Sequence, residues 1–280
     1  MTKLRNEVYA LCRSISPSSP NVIRVFEDRN LFRLQKEIDL KDIKDPEDIG
    51  SSERENVLYV TDLGMKCVWK ITREADDYPA IRKWSNSDLR WQYTLSVTND
   101  GQLLMLSGGN PVSSCLGIYG SDGELRHSIQ LPTEIRTPLH AVQTSTQNFI
   151  IAHRRREEGE EGDEVEETNE RDKDIWSVSE VSRNGQLVIR RLISEGQTQQ
   201  LNNPCYISLD SGDRVFVADT MNNRVILLNS DLRWNRILCP TRDEGKIIFR
   251  SWRLFHDKEK NQLIVGGLNR GVNVYRLSRK

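Results

Sequence analysis

The sequence predicts an all-β protein, a six-bladed β-propeller whose blades are four-stranded antiparallel meanders. Three observations point to this fold: short β-rich apolar runs recur at a nearly constant interval, polar turns separate them, and no segment combines a sustained 3.6-residue apolar period with helix caps. The 280 residues are 36% hydrophobic and 29% charged, which excludes disorder throughout. We expect one propeller domain over residues 1–280.

The interval becomes visible when the chain is aligned on itself. Five apolar runs begin at Val57, Gln102, Asn148, Arg214 and Gln262. Their successive spacings are 45, 46, 66 and 48 residues, and a sixth run begins 49 residues earlier at Val8. The long interval contains the 20 residues 154–173, an acidic stretch with almost no apolar side chains, which we interpret as a disordered loop insertion in the fourth blade. The six apolar runs therefore predict six blades.

Each unit repeats the same order of strands and turns. In the clearest copy the predicted strands are Cys205–Leu209, Val215–Ala218, Arg224–Leu228 and Trp234–Leu238, with a turn at 211–213. Gly101, Gly123 and Gly185 end comparable turns, where glycine supplies the positive φ that hairpins require.

The two terminal units are expected to be incomplete. The first offers strands near Val8–Leu11, Val22–Phe26 and Phe32–Ile38 but no innermost strand, and the last offers no clear fourth strand. That leaves 22 predicted strands. Either the missing strands belong to a longer parent chain, or the ring closes with an imperfect seam.

Residues 203–210 (NPCYISLD) and 215–225 (VFVADTMNNRV) together resemble an NHL repeat, and weaker copies lie at 45–68 and 264–272. The chain is thus similar to the C-terminal NHL domain of tripartite-motif and Brat-like proteins. In this resemblance the structural motif residues are Pro204, Asp219, Asn223 and Arg224, and we expect Asp219 and Arg224 to pair and brace their loop.

The resemblance also implies a binding role for one face. We call "upper face" the side on which loops leave from the second to the third strand of a blade and from the fourth strand to the next blade. A protein or peptide partner is expected there, with single-stranded RNA in post-transcriptional regulation as the alternative. The sequence has no RING or B-box zinc module, so a role in ubiquitination would be substrate recognition beside a RING protein acting in trans.

Arginines, aromatic residues and asparagines at predicted upper-face positions are the candidate partner-binding residues, since such side chains can stack on and hydrogen-bond to a partner. They are Arg90, Trp91, Tyr93, Arg136, His140, Tyr206, Asn222, Asn223, Arg224, Arg250, Trp252, Arg253, Asn269 and Arg270. RNA affinity should depend on Arg224 and Arg270, whereas a peptide groove should depend on Trp91, Tyr206 or Trp252.

Charge adds a constraint on the RNA alternative. Residues 154–173 contain ten acidic and five basic side chains, so the remainder of the chain carries 35 basic and 31 acidic residues, a net charge of only +4. That is weak for a nucleic-acid binder. The insertion falls on the predicted upper face, where it would repel phosphates or mask the surface, or is a solvated loop with no partner.

Catalysis has no support in the sequence. Six-bladed propellers also include metal-dependent lactonases and lyases, and that alternative needs converging ligands. Only His140 and His256 are predicted on inner strands, without an obvious carboxylate partner, and no hydrolase, P-loop or dinucleotide motif occurs. We expect a non-enzymatic cytoplasmic protein with no metal, no cofactor, and neither a membrane nor DNA as its partner.

Overall fold

The fold is all-β. The computed structural model describes residues 1–13, 19–28, 33–73, 79–85, 94–107, 114–156, 174–192, 200–239, 251–267 and 272–277. Within these ranges every sheet is antiparallel and its strands are joined in sequence order, so each blade is a meander. The predicted six-bladed β-propeller is confirmed.

The first three blades each contain four strands. Blade 1 is formed by β1 (Thr2–Leu4), β2 (Glu7–Cys12), β3 (Val22–Glu27) and β4 (Leu34–Asp39). Blade 2 is formed by β5 (Pro46–Ser52), β6 (Val57–Asp62), β7 (Cys67–Arg73) and β8 (Pro79–Ser85). Blade 3 is formed by β9 (Leu95–Val97), β10 (Leu103–Ser107), β11 (Cys115–Tyr119) and β12 (Leu125–Gln130).

The last three blades follow the same order, with a 3-10 turn (Thr220–Asn222) inside blade 5. Blade 4 is formed by β13 (Arg136–Gln143), β14 (Phe149–Arg156), β15 (Asp174–Val181) and β16 (Val188–Arg191). Blade 5 is formed by β17 (Pro204–Leu209), β18 (Val215–Asp219), β19 (Arg224–Leu228) and β20 (Trp234–Cys239). Blade 6 has three described strands, β21 (Ser251–Asp257), β22 (Gln262–Gly267) and β23 (Val272–Arg276).

The six first strands line the centre of the ring. Each of them contacts the first strand of the next blade, and β21 contacts β1, so the ring is closed. Six buried apolar clusters lie between neighbouring blades. Strands alternate side chains between their two faces, so each blade contributes to the cluster before it and to the cluster after it. The burial of apolar side chains between neighbouring blades therefore stabilises the ring.

The predicted hairpin glycines adopt the expected backbone. Gly101, Gly123 and Gly185 have φ of 86°, 87° and 76°, a region that side chains with a Cβ rarely enter. In the turn at 211–213 the positive φ is taken by Asp213, at 58°, and not by Gly212.

Two sequence expectations need correction. Blade 1 does have a first strand: Thr2–Leu4 pairs with β2 through a tight turn in which Arg5 has a φ of 53°, and its three residues are too short for an alternating pattern to reveal. The acidic insertion was predicted to begin at Arg154. Strand β14 instead continues to Arg156, which pairs with Asp174 on β15. Residues 157–173 lie outside the described part of the chain.

Blades 6 and 1 are joined by ion pairs as well as by apolar contacts. We call this junction the seam. The ammonium of Lys3 on β1 lies 2.9 Å from a carboxylate oxygen of Asp257 on β21 and 3.0 Å from one of Asp28. All three side chains are buried. Burial alone lowers the pKa of Lys3, but its hydrogen bonds to Asp257, Glu259 and Asp28 outweigh that and raise the pKa. Beside this network, Met1, Val8 and Ile264 form an apolar cluster.

Candidate functional site

The turn between the second and third strands of blade 5 is held by one buried carboxylate. Asp219, fully buried at the end of β18, accepts hydrogen bonds from the backbone N–H of Asn202 at 2.6 Å, Nδ2 of Asn222 at 2.8 Å and Nε of Arg224 at 2.7 Å. Burial raises the pKa of Asp219, and the three donors oppose that increase. The predicted Asp219–Arg224 pair is therefore present.

The remaining groups of this turn are also engaged. Asn222 and Arg224 each donate to the carbonyl oxygen of Gln200, at 3.0 and 2.8 Å, and the guanidinium of Arg224 lies 5.1 Å from the centre of the Trp234 ring. Asn223 adopts the left-handed conformation, with φ 50° and ψ 43°, which a short polar side chain tolerates. The loop is thereby fixed before any partner arrives.

Blade 2 repeats the same construction. Asp62 at the end of β6 accepts from the backbone N–H groups of Lys44 and Asp45, both at 3.0 Å, and from Nε1 of Trp69 at 3.1 Å. The backbone of the following residue, Leu63, donates to the carbonyl of Asp45, as Thr220 donates to Asn203 in blade 5. Two blades that lie opposite each other in the ring order thus carry the same braced turn.

Each braced turn exposes one methionine. Met65 follows Asp62 and is 38% exposed, and Met221 follows Asp219 and is 51% exposed. Both lie on the upper face, since both turns join the second strand to the third. Methionine is a flexible, polarizable side chain that suits adaptable contacts with a partner. Two places on the upper face therefore combine an ordered backbone with an adaptable side chain at its tip.

Four first strands and the residue preceding β9 contribute a belt of side chains around the inside of the ring. The belt residues occupy equivalent positions and are Asp48, Thr94, His140, Tyr206 and Arg253. Three of them contact the first strand of the next blade. Asp48 accepts a hydrogen bond from the backbone N–H of Leu95 at 3.0 Å, and Thr94 donates one to the carbonyl of Leu139. The ring of His140 stacks on that of Tyr206, with 3.8 Å between the ring centroids.

Arg253 completes the belt by reaching across blade 1. Its Nε lies 3.0 Å from Asp48, another of its nitrogens contacts the Glu47 carboxylate at 3.0 Å, and its guanidinium lies 5.1 Å from the centre of the Tyr206 ring. Asp48 is fully buried, while 15% of the Arg253 side chain is exposed. The belt joins blade 6 directly to blade 2 over the seam.

His140 is held as a neutral ring in this belt. Burial lowers its pKa to about 4, although the nearby Asp48 carboxylate opposes the change. Nδ1 accepts a hydrogen bond from the backbone N–H of Ile207 at 3.4 Å, so the proton of the neutral ring is on Nε2. A hydrogen bond between the His140 ring and the backbone of Leu95 also opposes the decrease of its pKa.

Blade 4 places arginines beside one another at its upper end. Arg136 and Arg154 are direct cross-strand neighbours, and the Arg154 guanidinium lies 4.9 Å from the centre of the Trp176 ring. On the other sheet face, His153 is fully buried between Ser179 and the carbonyl of Arg154. Burial lowers the pKa of His153 to about 4.

The predicted site residues divide into three groups. Asn222, Asn223 and Arg224 form a loop on the upper face, and Arg136 lies at the upper end of blade 4. His140, Tyr206 and Arg253 come together in the belt. The others lie outside the described residues or have undescribed side chains: Arg90, Trp91, Tyr93, Arg250, Trp252, Asn269 and Arg270.

Asp48, Thr94, Asp62 and Met65 were not among the site residues predicted from the sequence. Asp62 and Met65 had a usable signal, because the run Val60-Thr61-Asp62 copies Val217-Ala218-Asp219 and a methionine follows each aspartate within three residues. The belt residues had a weaker sequence signal. They are spaced by 46, 46, 66 and 47 residues, which follows the spacing of the repeat including the interval with the insertion, but their side chains share no chemistry.

The part of the chain that the structure describes contains no cluster of three or more His, Cys, Asp or Glu side chains that could hold a metal ion. His140 and His256 are both on first strands, but His256 stacks on Phe216 at 5.1 Å, away from His140. No helix in this part of the chain is long and apolar enough to cross a bilayer.

No protein-family model matches the chain, and no curated protein matches it in sequence. Solved structures match in shape. A protein of unknown function from Bacteroides caccae is 15% identical with a TM-score of 0.59, and the match covers 88% of this chain and 78% of that one. Hydrazine synthase of Kuenenia stuttgartiensis is 12% identical with a TM-score of 0.63, and the match covers 92% of this chain and 90% of that one. A chain of the nidogen/laminin complex is also similar (13%, 0.53, 79% and 72%). At such identities the likeness shows the fold alone, so the NHL type stays a prediction, and the chain is a six-bladed β-propeller.

Proposed function

We propose that this protein is a non-catalytic scaffold whose upper face binds a protein or peptide partner. The observation that carries the proposal is the pair of exposed methionines, Met65 and Met221, on turns braced by the buried carboxylates of Asp62 and Asp219. Because the turns are already ordered, binding loses little conformational entropy there. Blades 2 and 5 lie opposite each other in the ring order, so an extended partner lying across the upper face contacts both tips.

Single-stranded RNA is the less favoured partner. Arg224, the arginine expected to contact bases, donates instead to Asp219 and Gln200, and 13% of its side chain is exposed. A methionine tip offers apolar contact and no charge for phosphates. Substrate recognition for a ubiquitin ligase, and a cytoplasmic location, are further proposals that rest on the NHL resemblance and on sequence composition alone.

The experiment is a selection of binding peptides from a random display library against the intact chain. Each selected peptide is then titrated against the double variant Met65→Asp/Met221→Asp and against the control Leu125→Asp. Leu125 is 52% exposed on the outermost strand of blade 3, so the control also places a charge on an exposed apolar position.

The proposal predicts that the double variant weakens binding about tenfold or more, since exposed contacts at an interface centre become charged, while the control binds as the parent does. Equal binding by both variants, or no enriched peptide, would overturn it. A single-stranded RNA pool is titrated in parallel at two salt concentrations. Tighter, salt-sensitive RNA binding that the methionine substitutions leave unchanged would favour the RNA alternative.

A further inference from the structure

One cation at the upper end of blade 4 lacks a counter-ion. Arg154 is partly buried, and its guanidinium lies over Trp176, 4.9 Å from the ring centre. Its Nε is buried without a hydrogen-bond partner, and its guanidinium forms no ion pair with the described residues. A partly buried charge in this state has lost hydration without gaining a compensating partner. A bound anion would supply that partner.

The strands on either side place no acid opposite Arg154. Its direct cross-strand neighbours are Arg136 on β13 and Trp176 on β15. Elsewhere the fold does supply such an acid: in blade 1, Arg24 on β3 and Glu37 on β4 are direct neighbours and form an ion pair at 2.8 Å. The sheet of blade 4 therefore leaves the charge of Arg154 for another group to neutralise.

The junction of blades 4 and 5 itself shows which groups satisfy an arginine that lies over a tryptophan. Trp176 and Trp234 both pack against the apolar cluster between these blades. Over Trp234, the guanidinium of Arg224 donates from Nε to the Asp219 carboxylate at 2.7 Å and from a second nitrogen to the carbonyl of Gln200 at 2.8 Å. A carboxylate is therefore the acceptor that this fold itself uses for such a pair.

The site on blade 4 is ordered before any partner binds. Nδ1 of His153 donates to the carbonyl of Arg154 at 2.7 Å, and Nε2 of the same ring lies 2.8 Å from Oγ of Ser179. The Trp176 ring restricts the guanidinium through a cation–π contact. A guanidinium presents a planar fork of N–H donors that matches the two oxygens of a carboxylate. Binding a carboxylate here thus needs little reordering.

We propose that Arg154 binds the carboxylate of an aspartate or glutamate in the peptide that contacts Met221. This inference rests on the function proposed above and adds a residue that selects the sequence of the partner. Blades 4 and 5 are neighbours in the ring, so a peptide on the Met221 turn reaches Arg154 across their junction. The peptide carries an apolar side chain for Met221 and an acidic one for Arg154.

A carboxylate fits this junction better than the phosphates of RNA. RNA affinity depends on several phosphate contacts made by basic side chains. Arg224, the arginine over the other tryptophan, already donates to Asp219, and the exposed side chain of its turn is the uncharged Met221. One unpaired cation beside an apolar tip suits a peptide that combines one acid with one apolar residue.

The probe is a peptide selected from the display library against the intact chain. Each acidic residue of the peptide is changed in turn to its amide, and both forms are titrated against the parent and against Arg154→Gln. We expect one such change to weaken binding to the parent about tenfold and to leave binding to Arg154→Gln unchanged, because its charge-assisted hydrogen bonds are already lost. A variant that merely misfolds would bind both forms less and keep the difference between them.

The matched control is Arg183→Gln. Arg183 is exposed in the turn between the third and fourth strands of the same blade, hence on the opposite face. We expect this control to keep the parent's preference for the acidic peptide. The charge-reversed variant Arg154→Glu should instead prefer the peptide in which Lys replaces the acid.

Loss of the acid preference in Arg154→Gln but not in Arg183→Gln would support the inference. It is overturned if Arg154→Gln keeps the preference, if Arg183→Gln loses it as well, or if Arg154→Gln weakens binding of the RNA pool alone. It is also overturned if no acid of any selected peptide matters while Met65→Asp/Met221→Asp still weakens binding, and the function proposed above then stands. If no peptide is enriched, both proposals fail.

Discussion

Arg253 and Asp48 form the pair on which the centre of the ring depends most directly. The carboxylate of Asp48 is fully buried and meets Nε of Arg253 at 3.0 Å. Taking two charges out of water is costly, so their attraction serves mainly to avoid a buried charge without a partner. The pair thus specifies how blade 6 sits against blade 2 more than it adds stability.

Removing the guanidinium of Arg253 should therefore lower the stability of the fold more than removing an exposed cation does. We expect Arg253→Met to lower the free energy of unfolding by about 3 kcal/mol, because Asp48 stays buried without its countercharge. The control is Arg126→Met, whose partners Asp122 and Glu124 are solvent-exposed, so we expect no comparable loss. Urea unfolding followed by tryptophan fluorescence measures both, and equal losses would contradict this view of the belt.

The buried histidines make stability depend on pH in a defined window. His140 and His153 have pKa values lowered by burial to about 4 in the fold, against 6.5 in an unfolded chain. Between these values the unfolded chain binds more protons, so stability falls as pH decreases from about 6.5 towards 4.

The measurement is urea unfolding at pH 7 and pH 5 on the parent, His140→Gln and the control His127→Gln, whose side chain is on the exposed strand β12. We expect the pH 5 loss to shrink by more than about 1 kcal/mol in His140→Gln and to persist in His127→Gln. An unchanged loss in His140→Gln would show that the belt histidine is not titrating.

At the scale of elements, the braced turn is a unit that recurs in blades 2 and 5. Asp62 and Asp219 each close the loop before their blade's first strand and the turn after its second, so one carboxylate orders two upper-face segments. Such groups are costly to remove, because several donors lose their acceptor together.

We expect Asp219→Ala to lower the free energy of unfolding by about 2 kcal/mol and to increase hydrogen exchange at Asn202 and Asn223. The matched control is Asp231→Ala, an exposed aspartate in the turn before β20. Fast exchange confined to blade 5 would support local bracing, whereas unchanged exchange at Asn202 would contradict it.

The strands themselves were largely predictable from local pattern. Second strands such as Val215–Asp219 are continuous apolar runs after a polar turn, and their positions follow the repeat. Thr2–Leu4 was missed because three residues cannot show alternation, and its burial comes from contacts with β5 and β21, far away in sequence. The Asp219–Arg224 pair was predictable because both partners lie in one loop.

At the scale of the whole molecule, closure depends on contacts that no local pattern shows. Lys3 reaches Asp257, a residue 254 positions away, and Arg253 reaches Asp48 across 205 positions. The belt was hidden for the same reason: its five members lie on different blades and differ in type. Repeat spacing predicted the number of blades, but it carries no information on which side chains meet at the centre.

The seam gives a prediction for the ring as a whole. We expect Lys3→Met to lower the free energy of unfolding by about 3 kcal/mol, because Asp257 is left buried without a cation and Asp28 keeps only the half-exposed Lys260. The control is Lys41→Met, whose ammonium is exposed beside Asp39. Calorimetry and limited proteolysis check the result, and early cleavage should fall in blades 1 and 6. Uniform cleavage around the ring would contradict a seam held by Lys3.

The proposed role of the upper face is to bind a protein partner at its two braced turns. The most direct measurement is hydrogen exchange of the intact chain with and without a peptide selected against it. We expect protection at residues 62–67 and 219–224, and we expect this protection to be lost when Met65 and Met221 are both changed to Asp. Protection confined to the outer strands, or the same protection produced by a single-stranded RNA pool at physiological salt, would contradict it.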